Sequence, residues 1–128
     1  ALQTSAEHIY ALGDSAQYTS AGGRTLPYVM PIMNAAKALA ATLAGTRTEV
    51  AFPLMPVAIK TPALPIVVAA PAPGTPGEWR SVEPGESGGE PGESGIWQFI
   101  DAQGQQRGFV LTGKQTTRRA EQAKLVMV

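Results

Sequence analysis

The sequence predicts an α+β fold, in which one strand and one helix precede a small, mostly antiparallel β-sheet with a C-terminal helix. Three observations carry this prediction. The apolar run Ile9–Leu12 has the length of a short buried strand, and apolar residues recur at helical spacing between Pro31 and Gly45. Beyond residue 50, β-branched segments punctuated by proline are typical of short antiparallel strands. We therefore divide the chain into residues 1–50 and 51–128.

The composition excludes several classes of protein. Ten acidic residues balance ten basic ones, which argues against a nucleic-acid-binding protein and against a polybasic membrane-surface protein. No cysteine is present, so the sequence offers neither a disulfide framework nor a thiolate metal site, and we assign no metal site. No signal peptide is visible, and we expect a cytoplasmic protein without a membrane span.

The run Ile9–Leu12 is apolar without interruption, which predicts a buried parallel strand covered on both faces. Gly13 would let a ligand approach the backbone, and Asp14 would supply hydrogen-bond acceptors at the carboxyl edge of the sheet, where open α/β sheets bind ligands. The alternative is a strand that leads into an Asp-Ser turn without a ligand. His8 is the only histidine, and no second histidine, cysteine or cluster of carboxylates accompanies it. We assign no catalytic residue.

A helix is predicted after a loop that spans Ser15–Arg24, with its tip at Gly22 and Gly23. Pro31 suits the first helical turn and Gly45 suits the position just past the end. The free N–H groups at the helix start favour an anion or an electron-rich acceptor. The predicted buried stripe consists of Ile32, Ala35, Ala36, Leu39, Ala40 and Leu43.

The second part of the chain is predicted to be β-rich. Its expected strands are Val57–Ile59, Ile66–Val68, Glu78–Val82, Ile96–Asp101 and Arg107–Thr112, the last two joined as a hairpin through a loop that contains Gly104. A short helix is expected within residues 114–128, with Ala120, Ala123 and Met127 inward and Arg118, Arg119 and Lys124 outward.

Charge is unevenly distributed along this second part. Residues 71–95 hold five acidic residues and one basic residue, whereas residues 96–128 hold two acidic and five basic residues. The acidic stretch repeats itself, because residues 83–88 recur as residues 90–95, and it predicts a surface loop. The basic stretch predicts a surface for an acidic partner. Its members are Arg107, Lys114, Arg118, Arg119 and Lys124.

Three stretches resemble one family in the order in which they occur. They read HIYALGD at residues 8–14, YVMPIMNAAKALAATLAG at residues 28–45 and MPVAIKTP at residues 55–62. Together they resemble the C-terminal third of NADH-dependent rubredoxin reductases, flavoenzymes of the pyridine nucleotide-disulfide oxidoreductase superfamily. The resemblance implies a C-terminal fragment. Residues 1–50 would end a Rossmann-like FAD-binding domain, and residues 51–128 would form an α+β rubredoxin-binding-like domain.

The resemblance also implies roles for individual residues. Asp14, after Gly13, matches the residue that accepts hydrogen bonds from the ribityl hydroxyls of FAD. Val29 and Met30 match the backbone that meets the pyrimidine edge of the flavin. Lys60 matches a cation that faces the flavin, although the residues alone leave a plain surface lysine equally open. No two glycines lie two positions apart, so a G-x-G-x-x-G dinucleotide fingerprint is absent from this sequence.

The implied function is electron transfer from NADH through FAD to rubredoxin or a similar acidic iron protein. Flavin suits this task because it accepts a two-electron hydride and can release one electron at a time. The partner would dock on Arg107, Lys114, Arg118 and Arg119. The fragment alone is expected to be inactive. The alternative, from another class, is a non-catalytic β-rich protein-binding module derived from the same family.

Overall fold

The computed structural model of the chain describes residues 1–82 and 94–127. The chain divides into two compact units, Ala1–Pro53 and Leu54–Val128. Nearly all of the duplicated acidic loop predicted at residues 83–95 lies outside the described residues. No helix in the described ranges is long and apolar enough to cross a membrane.

The first unit contains one α-helix, α1, which spans Val29–Leu43. Pro31 lies buried in its first turn, and Gly45 follows its end with a φ of +100°. The Gly45 N–H donates to the Thr42 carbonyl (3.1 Å), and the next N–H donates to the Ala41 carbonyl (2.9 Å). This pair of bonds is the Schellman pattern that glycine favours at a helix end. Both predicted helix ends are confirmed.

The predicted stripe on α1 is only partly correct. Ala35 is fully buried and Ile32 and Leu39 are half-buried, but Ala36, Ala40 and Leu43 are exposed. The buried line runs instead through Pro31, Ala35 and Ala38. The Thr42 hydroxyl accepts a hydrogen bond from the Thr48 N–H (3.0 Å), which folds the following segment back along this line. Alanine occurs on several sides of α1, so the sequence pattern could not select the buried side.

The predicted buried strand Ile9–Leu12 is wrong. The nearest sheet-like contact is an isolated antiparallel bridge between Gln3 and Tyr10, and the side chain of Ile9 is 57% exposed. A buried parallel strand needs hydrogen-bonded neighbours on both sides. Residues 1–53, all of which the structure describes, contain no strand of that kind. Asp14 therefore lies in a turn.

The loop after this turn has the predicted tip. A short 3₁₀ helix, Thr19–Ala21, leads into Gly22 and Gly23, whose φ angles are +68° and +71°. An antiparallel bridge between Tyr18 and Arg24 closes the loop at its base. Positive φ angles at two successive residues are easily adopted only by glycine, which explains the pair.

The second unit is a five-stranded antiparallel sheet with strand order β1-β2-β5-β4-β3. The strands are β1 Val57–Ile59, β2 Ile66–Ala69, β3 Gly77–Val82, β4 Gly95–Asp101 and β5 Gln106–Thr112. Each predicted strand of this part is confirmed, as is the β4–β5 hairpin. Gly104 in the hairpin loop has a φ of +78°, the conformation for which glycine was expected there.

The two faces of the sheet have different neighbours. One face holds the core, in which Phe109 and Leu111 of β5 are fully buried. The opposite face carries a half-buried row that crosses four strands, through Val57, Val68, Val110 and Trp97. The Trp97 ring lies over Gly95, where an added Cβ would come within 2.3 Å of it. Glycine at residue 95 is therefore required by that ring.

The C-terminal segment covers the core face. It consists of a 3₁₀ helix, Gly113–Arg118, and α2, Arg119–Leu125. The predicted helix is confirmed, but two of its inward residues are wrong, because Ala120 and Met127 are exposed. Gln122 and Val126 are buried instead, with Ala123 half-buried. α2 ends at Leu125, so Met127 lies beyond the helix, where an α-helical period does not apply.

Candidate functional site

The first candidate group is the turn at Gly13 and Asp14. Gly13 is buried and has a φ of +94°, a conformation that glycine adopts without strain. The Ala16 N–H donates to the Gly13 carbonyl (3.1 Å), which closes the turn. Asp14 is exposed, so its carboxylate is accessible to a ligand.

A residue that sequence reasoning missed, Tyr18, holds this turn. The Gly13 N–H donates to the Tyr18 hydroxyl oxygen (2.8 Å), and the hydroxyl in turn donates to the Gly13 carbonyl (3.4 Å). Tyr18 is only 3% exposed, and its ring packs edge-to-face against Phe52 with centroids 4.9 Å apart. The signal in the sequence was a lone tyrosine in an otherwise Ser- and Thr-rich loop.

The second candidate group is the start of α1. Tyr28, the residue before the helix, makes no side-chain cap, and Val29 and Met30 are 73% and 59% exposed. The N–H groups of the first helical residues have no acceptor within the helix. The helix start therefore offers backbone donors and the positive end of the helix dipole.

These two groups lie in the same unit and are complementary in chemistry. The carboxylate of Asp14 can accept hydrogen bonds from hydroxyl groups. The N–H groups of Val29 and Met30 can donate to carbonyl oxygens. A polyhydroxyl chain attached to a ring that carries carbonyl groups would use both, and the ribityl-flavin part of FAD has this composition. The donor and acceptor set therefore fits FAD.

Lys60 lies in the second unit, directly after β1. Its side chain is exposed, and it makes no ion pair with any residue in the described part of the chain.

The basic residues of the C-terminal stretch differ in how far their charge is balanced. Arg107 binds Asp101, with 2.6 Å between Nε and Oδ2, and also donates to the Met127 carbonyl (3.2 Å). Asp101 also accepts hydrogen bonds from the N–H groups of Gln103 and Gln105. The pKa of Asp101 is held below its usual value, mainly by the Arg107 guanidinium and to a smaller extent by these two N–H groups. Arg107 therefore links the hairpin to the C-terminal segment.

Arg118 is also paired. Its guanidinium binds Glu121 at 2.6 Å, and this contact lowers the pKa of Glu121. Lys114, Arg119 and Lys124 are exposed and form no ion pair with a described residue. Within the part of the chain that the structure describes, the positive charge of this stretch that no ion pair balances therefore comes from these three residues.

Acidic and histidine side chains offer no metal site in residues 1–82 and 94–127, because no three of them lie close enough together.

Comparison with known proteins connects these features to one family. Residues 49–126 match the rubredoxin binding C-terminal domain. A rubredoxin-NAD(+) reductase from Alcanivorax borkumensis is 58% identical over 79 residues, which are 62% of this chain and 20% of the relative. A rubredoxin-NAD(+) reductase from Acinetobacter baylyi is 44% identical over 113 residues, which are 88% of this chain and 26% of the relative.

A further relative carries a different name. The nitric oxide reductase FlRd-NAD(+) reductase of Aeromonas salmonicida is 47% identical over 79 residues, which are 62% of this chain and 20% of the relative. The chain thus spans about a fifth to a quarter of the length of these relatives. The family match covers more than half of the chain and includes every strand of the sheet together with α2. The resemblance seen in the sequence is confirmed: the chain belongs to the family of rubredoxin binding C-terminal domains.

Proposed function

We propose that the complete protein passes electrons from NADH through FAD to rubredoxin or a similar small acidic iron protein, in the cytoplasm. The observation that carries the proposal is the match of residues 49–126 to a rubredoxin binding domain. The names of the two relatives with 58% and 44% identity support an NAD-linked electron donor. In this proposal the second unit binds the partner and the first unit completes the FAD site.

The first unit would be the end of a Rossmann-like FAD-binding domain. Asp14 accepts hydrogen bonds from the ribityl hydroxyls, and the N–H groups of Val29 and Met30 donate to the pyrimidine edge of the flavin. The positive end of α1 stabilises negative charge at that edge, which favours the reduced cofactor. The family resemblance further assigns Lys60 to the cofactor. When bound, FAD converts a two-electron hydride into the single electrons that an iron protein accepts.

The second unit would attract an acidic partner through Lys114, Arg119 and Lys124. Arg107 and Arg118 were predicted as partner residues from the sequence, and each already holds a carboxylate. Charge that is balanced locally contributes little to the long-range field that steers association. We therefore propose Lys114, Arg119 and Lys124, which pair with no described residue, as the main source of steering in this stretch.

The test of the FAD site is Asp14→Asn in the complete protein. The amide keeps the shape but removes the charge, and loss of one hydrogen bond to a charged group costs about 1.5–3 kcal/mol. FAD affinity should fall at least tenfold while the thermal midpoint of the apoprotein stays unchanged. Glu7→Gln is the matched control, because Glu7 is an exposed carboxylate of the same unit that pairs only with His8 (3.2 Å) among the described residues.

Two outcomes would contradict the proposal. Unchanged flavin affinity in Asp14→Asn would remove Asp14 from the cofactor site. A complete protein that purifies without visible flavin absorbance and takes up no added FAD, yet still binds rubredoxin, would favour the non-catalytic binding module.

A further inference from the structure

Tyr18 binds both backbone polar groups of Gly13 with a single hydroxyl. The oxygen accepts from the Gly13 N–H at 2.8 Å and the hydroxyl donates to the Gly13 carbonyl at 3.4 Å. Both residues are buried, so these groups cannot exchange their bonds freely with water. The hydroxyl therefore determines where the Gly13 backbone lies.

The position of the Tyr18 hydroxyl is itself restricted by contacts of the Tyr18 ring and backbone. The Tyr18 ring lies in a core cluster with Ala35, Ala38 and Val50, and it contacts Phe52 edge-to-face. Its backbone N–H donates to the Arg24 carbonyl at 3.0 Å. A ring fixed by packing and a backbone fixed by a bridge leave the hydroxyl little freedom to move.

Gly13 needs such support because its own geometry does not fix it. Glycine populates positive and negative φ about equally, so a φ of +94° is easily reached and easily lost. The next residue is Asp14, and any rotation at Gly13 moves its carboxylate. Misplacement of a binding group by about 1 Å is enough to weaken a ligand contact strongly.

We propose that Tyr18 is a positioning residue for Asp14, which fixes the Gly13 turn and thereby presents the Asp14 carboxylate to the ribityl hydroxyls of FAD. This inference rests on the proposed function, because it takes FAD as the ligand of Asp14. A purely structural role would be different: the hydroxyl would satisfy a buried N–H, and its loss would lower stability without a specific effect on the ligand.

The test is Tyr18→Phe in the complete protein, which keeps the ring and removes only the hydroxyl. FAD affinity, measured by titration of the apoprotein, should fall about tenfold, the loss expected for one displaced charged contact. In the 128-residue chain, hydrogen exchange at the Gly13 amide should become faster. Tyr10→Phe is the control: it removes a phenol hydroxyl from a half-buried tyrosine of the same unit, and both FAD affinity and Gly13 amide exchange should be unchanged.

The double variant with Asp14→Asn separates the inference from the proposed function. If Tyr18 acts through Asp14, Tyr18→Phe should cause no further loss of FAD affinity in the Asp14→Asn background. Additive losses would overturn the positioning role. An unchanged affinity in Asp14→Asn alone would overturn the proposed FAD site, whereas a loss in Asp14→Asn with none in Tyr18→Phe would overturn only the inference.

A second substitution covers the case in which Tyr18→Phe does not fold. A difluorotyrosine at residue 18, studied at a pH low enough to keep its more acidic phenol protonated, keeps the hydroxyl but makes its oxygen a weaker acceptor for the Gly13 N–H. FAD affinity should then fall by less than in Tyr18→Phe, and Gly13 amide exchange should again be faster. Unchanged FAD affinity together with faster exchange would overturn the proposal, because the turn would then have loosened without consequence for the ligand.

Discussion

Reversal of two unpaired cations, Lys114→Glu with Arg119→Glu, should slow electron delivery to rubredoxin. The net charge of the three unpaired residues changes from +3 to −1 when two of them are reversed, since Lys124 remains. Two unit charges about 10 Å apart in water interact by roughly 0.4 kcal/mol before screening. Because the charge changes by four units, the attraction for each acidic group of the partner weakens by roughly 0.6 kcal/mol at about 0.1 M salt. Two such groups give about a tenfold slower association.

The assay is stopped-flow reduction of rubredoxin by the NADH-reduced complete protein under second-order conditions. The difference between wild type and variant should nearly vanish at about 1 M salt, where the Debye length is about 3 Å. Reduction of a small neutral dye should be unchanged, which guards against a folding defect. Lys37→Glu with Arg47→Glu is the matched control, because it makes the same change in net charge in the first unit. Equal rates for the test variant and wild type at low salt would refute the assignment of these cations.

Two further predictions concern the stability of the second unit. Phe109→Ala removes a fully buried ring from the core face and should lower the free energy of unfolding by about 3–5 kcal/mol. Val110→Ala on the opposite face should lower it by only about 1 kcal/mol. Equal losses in urea unfolding would contradict the assignment of the two faces. Asp101→Asn should be destabilising at neutral pH. Because the pKa of Asp101 is lowered in the folded state, its contribution is present above the unfolded-state pKa of about 4 and is lost as the pH falls through the folded value. A stability difference between wild type and variant that is the same at about pH 7 and about pH 2 would contradict this.

The sequence predicted most of the second unit because its signals are local. β-branched runs between prolines, and two apolar runs on either side of a loop with a glycine, determine strand positions with little help from distant residues. The ends of α1 were predictable for the same reason, since Pro31 and Gly45 act through backbone geometry alone. The bounds of the elements and the hairpin therefore followed from residue types.

The errors arose where a distant partner decides the outcome. Ile9–Leu12 has the composition of a buried strand, but no neighbouring strand pairs with it in residues 1–53. The prediction from charge counts treated Arg107 and Arg118 as unpaired. In the structure, Arg107 pairs with Asp101 across the hairpin and Arg118 pairs with Glu121 along the helix, and such pairs depend on the fold. The candidate cofactor residues followed from the family resemblance, whereas Tyr18, which supports them, was found only in the structure.

The aromatic residues are divided between the two units in a way that makes each unit spectroscopically distinct. All three tyrosines, Tyr10, Tyr18 and Tyr28, lie in the first unit, and both tryptophans, Trp79 and Trp97, lie in the second. Selective excitation of indole therefore reports on the sheet alone, and the NMR signals of the tyrosine rings report on the first unit alone. One denaturant titration followed at both signals shows directly whether the units melt together or one after the other.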